Sequence, residues 1–265
     1  MTASSILRSD PGRALAEIAV EAAKLILPLW RSGIAVHSKA DSSPVTEADQ
    51  RAEALILERL AIAFPGVPII SEEDASEVGV PDRIAHRFFL VDPLDGTKAF
   101  VRGDPAFTVN IALIEDGVAV AGAVVAPATG EVWRTSATGA LKSGVDRPDE
   151  TRVSVRAWPT GEALALVSHT MRPETLEALK LRYAFDRSEP MDSSIKLCRI
   201  AEGAADIYAR HGPTMEWDIA AGHAVLAAAG GRLETAEGAP FVYGKATEGF
   251  RNGWFVARGA EANAE

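Results

Sequence analysis

Residues 88 to 98 read Phe88-Phe89-Leu90-Val91-Asp92-Pro93-Leu94-Asp95-Gly96-Thr97-Lys98, an apolar strand that runs into two aspartates three positions apart on a turn. Proline sets the backbone at such a turn, and glycine lets it approach a ligand closely. Two carboxylates on one tight turn repel each other unless a cation lies between them, because like charges at short range push one pKa upward. Oxygen-only ligands favour a hard ion such as Mg²⁺. A solvated turn with capping aspartates explains the same eleven letters, so the segment has to be weighed with the other acidic positions.

Three further segments matter. Ser71-Glu72-Glu73-Asp74 follows a short apolar stretch at 67–71 that reads as a buried strand, so carboxylates again stand at a strand end. Glu216-Trp217-Asp218 opens a run of small residues, Ile219-Ala220-Ala221-Gly222-His223, that reads as a helix. Asp49 closes Thr46-Glu47-Ala48-Asp49, the spacing of a capping box. Each has an ordinary explanation taken alone: Glu72 or Glu73 as a solvated turn residue, Asp218 as a helix N-cap, Asp49 as half of the capping box.

Around these segments the chain has 265 residues, 47% hydrophobic and 24% charged, the balance of a globular protein with a large core. That length allows one large domain or two smaller ones sharing a cleft. A net charge of -10, with no stripe of lysine or arginine, argues against a nucleic-acid polymer as partner. A small phosphorylated substrate is compatible, since metal ions can supply positive charge that an acidic chain lacks. Cys198 is the only cysteine, which excludes an intrachain disulfide and fits a reducing compartment; the cytoplasm is the expected location. Residues 1–10 lack the pattern of a secretion signal. The most apolar region, 109–126, is broken by Glu115, Asp116 and Gly117, which read as a hairpin turn rather than part of a membrane span.

Along the chain, Leu15, Ile18, Ala19, Ala22, Leu25, Ile26 and Leu29 recur at helical spacing after Asp10-Pro11. A second helix should run from Thr46 to the Phe64-Pro65-Gly66 stop. From 108 to 136 the pattern is a meander of strands, with turns at Glu115-Asp116-Gly117 and Ala128-Thr129-Gly130. Residues 142–151, rich in glycine, proline and charge, read as a surface loop near a boundary between subdomains at 1–150 and 151–265. Beyond it, strands are expected at 163–168, 206–210 and 254–257, and helices at 173–181, 193–202 and 218–229.

Taken together, Lys39-Ala40-Asp41, Ser43-Pro44-Val45-Thr46 with Asp49, Ser71-Glu72-Glu73, Asp92-Pro93-Leu94-Asp95-Gly96-Thr97 and Trp217-Asp218 resemble the ordered signature of the inositol monophosphatase superfamily. The resemblance spans nearly the whole chain. It implies an α/β (α+β) fold, a layered α-β-α-β-α sandwich with its metal site between an N-terminal and a C-terminal subdomain. By the same resemblance, Glu72, Asp92, Asp95, Asp218 and the Leu94 main-chain carbonyl are the metal ligands, for two or three Mg²⁺ ions. Four carboxylates are neutralised by two Mg²⁺, so a phosphate dianion can enter. Asp49 and Thr97, with Glu72, are implied as the groups that orient or deprotonate the attacking water, and the Gly96 and Thr97 amides as holders of phosphate oxygens.

Lys98, Ser193-Ser194-Ile195-Lys196-Leu197-Cys198, Ile207-Tyr208-Ala209-Arg210 and Gly212-Pro213-Thr214 resemble the 3'(2'),5'-bisphosphate nucleotidase branch of that superfamily. Ala99 departs from it, standing where the bacterial members commonly have glutamate. The branch implies hydrolysis of adenosine 3',5'-bisphosphate to AMP, a link to sulfate assimilation and sensitivity to Li⁺. Ser193, Lys196 and Arg210 would bind the distal phosphate or ribose, and His169 would lie near the nucleoside. Ordinary alternatives are a strand-end surface arginine and a hydrogen-bonded structural histidine. Lysine one turn into a helix is poor for the helix dipole but useful where an anion sits. His223 and Cys198 read as packing residues. An inositol-1-phosphate or other sugar-phosphate phosphatase is the alternative function; an inactive nucleotide-binding regulator is another, opposed by a competent residue at every catalytic position. The chain is expected as a monomer or homodimer.

Overall fold

The protein is described by a computed structural model at residues 10–33, 36–38, 44–159 and 161–260. Lys39, Ala40, Asp41 and Ser43 of the signature, and residues 1–9 of the segment weighed as a secretion leader, lie outside the described residues.

Helix α1 (Pro11–Ser32) starts as its sequence dictates. The Asp10 carboxylate accepts from Arg13 N at 3.1 Å, and Pro11 stands in the first turn, where its missing N–H leaves nothing unpaired. A short antiparallel pair follows, β1 (Val36–Ser38) and β2 (Pro44–Thr46). Helix α2 (Glu47–Ala63) then begins on the capping box that Thr46 and Asp49 form.

The first sheet has seven strands in chain order: β3 (Ile69–Ser71), β4 (Arg87–Asp95), β5 (Thr108–Glu115), β6 (Val118–Ala126), β7 (Glu131–Ser136), β8 (Gly139–Gly144) and β9 (Arg147–Val153). β3 and β4 are parallel, and each later neighbour is antiparallel. Between β5 and β6 the turn residues Asp116 and Gly117 have φ of 48° and 80°. Two positive φ values in a two-residue loop give the type I′ turn, whose twist suits a hairpin.

The middle strands are buried on both faces, which accounts for their unbroken apolar runs. Phe89, Val91, Ile111 and Val125 pack against α1 and α2. Phe88, Leu90, Ala112 and Val124 face the other way, into a core shared with the later helices. Short helices α3 (Glu72–Glu77) and α4 (Thr97–Val101) leave the ends of β3 and β4.

The second sheet holds five strands in the order β11 (Arg187–Pro190), β10 (Leu164–Val167), β12 (Ile207–Arg210), β16 (Phe255–Arg258) and β14 (Arg232–Thr235). Helix α5 (Pro173–Tyr183) covers its outer face, with Leu179 packed among Ala165, Ile207 and Val256. Between the two sheets lie α6 (Ile195–Ala201) and α7 (Glu216–Ala228). The latter shows no single apolar stripe because most of its residues between Glu216 and Leu226 are buried. Close packing there needs small residues: a Cβ on Gly122 of β6 would lie 2.7 Å from the Ala221 carbonyl oxygen of α7. A last antiparallel pair, β13 (Thr214–Met215) and β15 (Arg251–Asn252), sits at the entrance to α7. The layers run helix, sheet, helix, sheet, helix, as the resemblance implies.

One expectation fails. Residues 142–151 are no loop: they form most of the β8–β9 hairpin, with Lys142 opposite Thr151. β9 is the edge strand and its residues from 147 to 152 are exposed, so no inward-facing apolar residues mark it as a strand. The first sheet therefore continues to Val153 before the second begins at Leu164.

Candidate active site

Asp92 and Asp95 are an odd number of residues apart, which on a regular strand would point them to opposite faces. The strand is not regular. Asp92 pairs with Asn110 and Asp95 with Thr108, so β4 carries one more residue than β5 between those points. This bulge turns both aspartates toward one cleft of about 500 Å³. β3 ends at Ser71 and hands Glu72 to the same cleft, and the first turn of α7 adds Asp218. Carboxylate oxygens of Glu72, Asp92 and Asp218 all lie within 4.8 Å of one another.

Burial pushes the Asp92 carboxyl well above its ordinary range, and the charges of Glu72, Asp95 and Asp218 add to the rise. Asp218 is raised in the same way, by burial and then by Asp95 and Glu72. Burial lifts Asp95 to about 6, with Lys196 and the Ser194 N–H pulling the other way. Groups so placed are costly to ionise without a cation, and all the donors are oxygens, so the residues fit Mg²⁺.

Asp49 uses both of its carboxylate oxygens. Oδ2 accepts from the Thr46 N–H at 2.8 Å and the Thr46 hydroxyl at 2.6 Å, which is the cap; Oδ1 accepts from the Thr97 hydroxyl at 3.4 Å. That hydroxyl also lies 3.2 Å from the Leu94 carbonyl, so Thr97 links Asp49 to the turn. Gly96 has φ 93°, and a Cβ on it would stand 2.9 Å from the Ala106 carbonyl oxygen and 3.4 Å from Ser193 Cβ. Only glycine fits there. It brings the start of α4 against the cleft, which Gly96, Thr97 and Lys98 line.

Residues 191–196 wrap the far side. Ser193 holds a left-handed φ of 57°, uncommon outside glycine. Lys196, only 5% exposed, donates to the carbonyls of Met191 at 3.1 Å and Ser193 at 2.6 Å, and its ammonium lies 4.9 Å from the Tyr208 ring centroid. Burial lowers its pKa to about 8, against the pull of Asp95. Two of its three donors thus hold the loop. Arg210 lines the cleft and donates to the Pro213 carbonyl at 3.3 Å. His169 is exposed and does not line the cleft. Its Nε2 lies 4.0 Å from Asp192, in a cluster with Asp104 whose charge is partly met by Arg102, 2.8 Å from Asp192.

Sequence reading gave Ser194 no role of its own within the segment 193–198, and passed over Asn110. The Ser194 N–H donates to Asp95 Oδ2 at 2.6 Å, and its hydroxyl to the Asp218 carbonyl at 3.1 Å. Asn110 Nδ2 reaches Asp95 Oδ2 at 3.4 Å and the Asp218 carbonyl at 3.5 Å. A fully buried asparagine inside the apolar run Val109-Asn110-Ile111 was the available signal, because a buried amide must find partners.

Residues 11–261 match the inositol monophosphatase family. The chain belongs to that family. Among its relatives, the 3'(2'),5'-bisphosphate nucleotidase CysQ of Escherichia coli K12 is 38% identical over 208 residues, 78% of this chain and 82% of that protein. The enzyme of the same name from Buchnera aphidicola is 35% identical over 246 residues, 92% of this chain and 91% of that one. The crystal structure of CysQ from Bacteroides thetaiotaomicron, a bacterial member of the inositol monophosphatase family, matches with TM-score 0.75 at 32% identity, over 94% of this chain and 97% of that chain. An IMPase from Thermotoga maritima shares the fold with TM-score 0.74 at 24% identity, over 92% of this chain and 89% of that one.

Proposed function

We propose that this member of the inositol monophosphatase family is a Mg²⁺-dependent 3'(2'),5'-bisphosphate nucleotidase. It converts adenosine 3',5'-bisphosphate to AMP and inorganic phosphate, which clears a by-product of sulfate activation in the cytoplasm. The carboxylate cluster at the β4 bulge carries this proposal, on a chain similar over most of its length to proteins named as such nucleotidases. Glu72, Asp92, Asp95, Asp218 and the Leu94 carbonyl are the residues to hold two Mg²⁺, with a third near Glu72. Bound there, the ions supply a lowered water pKa and stabilisation of the leaving oxygen.

The protein's own groups do the rest. Asp49 orients the attacking water and takes its proton by way of Thr97, a role supported by the contact between Thr97 Oγ1 and Asp49 Oδ1. The water oxygen bonds to phosphorus as the bond to O3' breaks, and O3' takes up a proton from a second water molecule to leave as the ribose hydroxyl. Gly96 and Thr97 offer backbone amides to the phosphate oxygens. Ser193, Lys196 and Arg210 serve the distal phosphate or ribose, and His169, outside the cleft lining but beside Asp192, which lines it, lies toward the nucleoside. Lys196 acts with the one donor its two carbonyl contacts leave over.

Steady-state kinetics over a panel of phosphate esters tests the proposal. The highest kcat/KM should fall to adenosine 3',5'-bisphosphate, with activity lost in chelator, restored by Mg²⁺ and inhibited by Li⁺. Asp92→Asn should keep its fold by circular dichroism and lose nearly all activity. Preference for inositol-1-phosphate overturns the substrate and leaves only the phosphatase chemistry, while full activity in chelator overturns the metal requirement.

A further inference from the structure

The cleft that gathers the carboxylates also gathers cations: Lys98, Lys196, Arg210 and Arg251 all line it. Lys196 and Arg210 already donate to main-chain carbonyls. Lys98 and Arg251 are different. Both are exposed, and among the described residues neither side chain has a hydrogen bond or an ion pair. Lys98 is rooted next to Thr97, beside the turn that carries Asp92 and Asp95. Arg251 is rooted elsewhere, on β15 opposite Met215, three residues ahead of Asp218.

That root is firmly held although the guanidinium is not. The Asn252 amide donates to Thr214 Oγ1 at 3.1 Å and the Met215 carbonyl at 2.7 Å, and on the other side the Phe250 carbonyl accepts from Glu216 N at 2.9 Å. An uncommitted side chain on a fixed backbone suits a ligand-binding arm, because its donors need not leave another partner and only side-chain freedom is lost when the ligand arrives. In a chain of net charge -10 the general field repels anions, so a second phosphate needs local cations. A guanidinium fork matches phosphate oxygens two at a time.

We propose that Arg251 is a specificity-determining residue of this cleft, which joins Lys196 and Arg210 in holding the phosphate of the nucleotide that is not cleaved. This rests on the nucleotidase function proposed above. Arg251→Gln tests it with two substrates, adenosine 3',5'-bisphosphate and 3'-AMP, which differ only in the 5'-phosphate. The substitution should lower kcat/KM for the bisphosphate by about ten- to a hundredfold, mostly through KM. The fall for 3'-AMP should stay below about twofold, and Arg251→Lys should recover part of the loss. A variant that keeps the wild-type ratio of the two substrates, or loses both equally with an unchanged melting temperature, overturns the role of Arg251 alone. A wild-type enzyme with no preference for the bisphosphate over 3'-AMP overturns the nucleotidase function, and Arg251's role with it.

Discussion

Asp49 joins the helix cap to the turn of the cleft, because its two oxygens face different partners, Thr46 and Thr97. Replacing it separates them. Asp49→Asn keeps the size but turns one acceptor into a donor, so with its oxygen kept toward Thr46 it can no longer accept the Thr97 proton, and the charge behind the cap is gone. The expected outcome is a kcat lower by about 10²- to 10⁴-fold and a stability lower by about 1 kcal/mol, measured by steady-state kinetics and chemical denaturation. Thr46→Val removes only the cap hydroxyl. It should cost similar stability while keeping most of kcat, and an equal collapse of kcat would mean that the cap alone sets the catalytic geometry.

At the scale of elements, the catalytic centre depends on how closely α6 and α7 approach. A Cβ on Gly222 of α7 would meet Leu197 Cδ1 at 2.6 Å and Ser194 Oγ at 2.8 Å. Gly222→Ala should therefore push α6 outward and destabilise the fold by about 1–3 kcal/mol. Since Ser194 feeds hydrogen bonds to Asp95 and to the Asp218 carbonyl, the concentration of Mg²⁺ giving half-maximal activity should rise as well. A Mg²⁺ titration checks this, and an unchanged midpoint with lowered stability would make the α6–α7 contact a matter of packing only. Both helices were legible in the sequence, but the contacts between them and the carboxylates were not. Caps, apolar runs and the Asp116-Gly117 turn are local patterns, and they placed α1, α2 and the β4–β6 strands correctly. The β9 edge strand lacked an apolar face and so read as a loop. The bulge that turns Asp92 and Asp95 to one side comes from pairing with Asn110 and Thr108, which no local pattern encodes. The same holds for Ser194, whose partners lie 99 and 24 positions away.

Across the whole molecule, the cleft gathers like charges from layers that otherwise pack through a shared apolar core. Glu72, Asp92 and Asp95 come from the ends of the first sheet, and Asp218 from the helix between the sheets. In the metal-free protein Asp95 is raised from 3.8 to about 6, and Asp92 and Asp218 are raised well above 3.8. The folded state then binds more protons than the unfolded one above about pH 3.8, so stability falls as pH rises through about 6 and beyond. His223 has the opposite slope. Burial lowers it from 6.5 to about 4, so its contribution is whole above pH 6.5 and lost as pH falls toward 4, on the order of 3 kcal/mol in all. Mg²⁺ favours the ionised carboxylates and removes the first slope, leaving that of His223. Melting curves in chelator and in Mg²⁺, taken from about pH 4.5 to 7.5, should therefore show a Mg²⁺-induced rise in Tm that is small in acid and grows with pH. His223→Gln should flatten the acid loss seen in Mg²⁺ while keeping that rise. Asp92→Asn should melt above wild type in chelator and gain little from Mg²⁺, whereas a Mg²⁺ effect of equal size at every pH would mean that the cation does not act through these carboxylates.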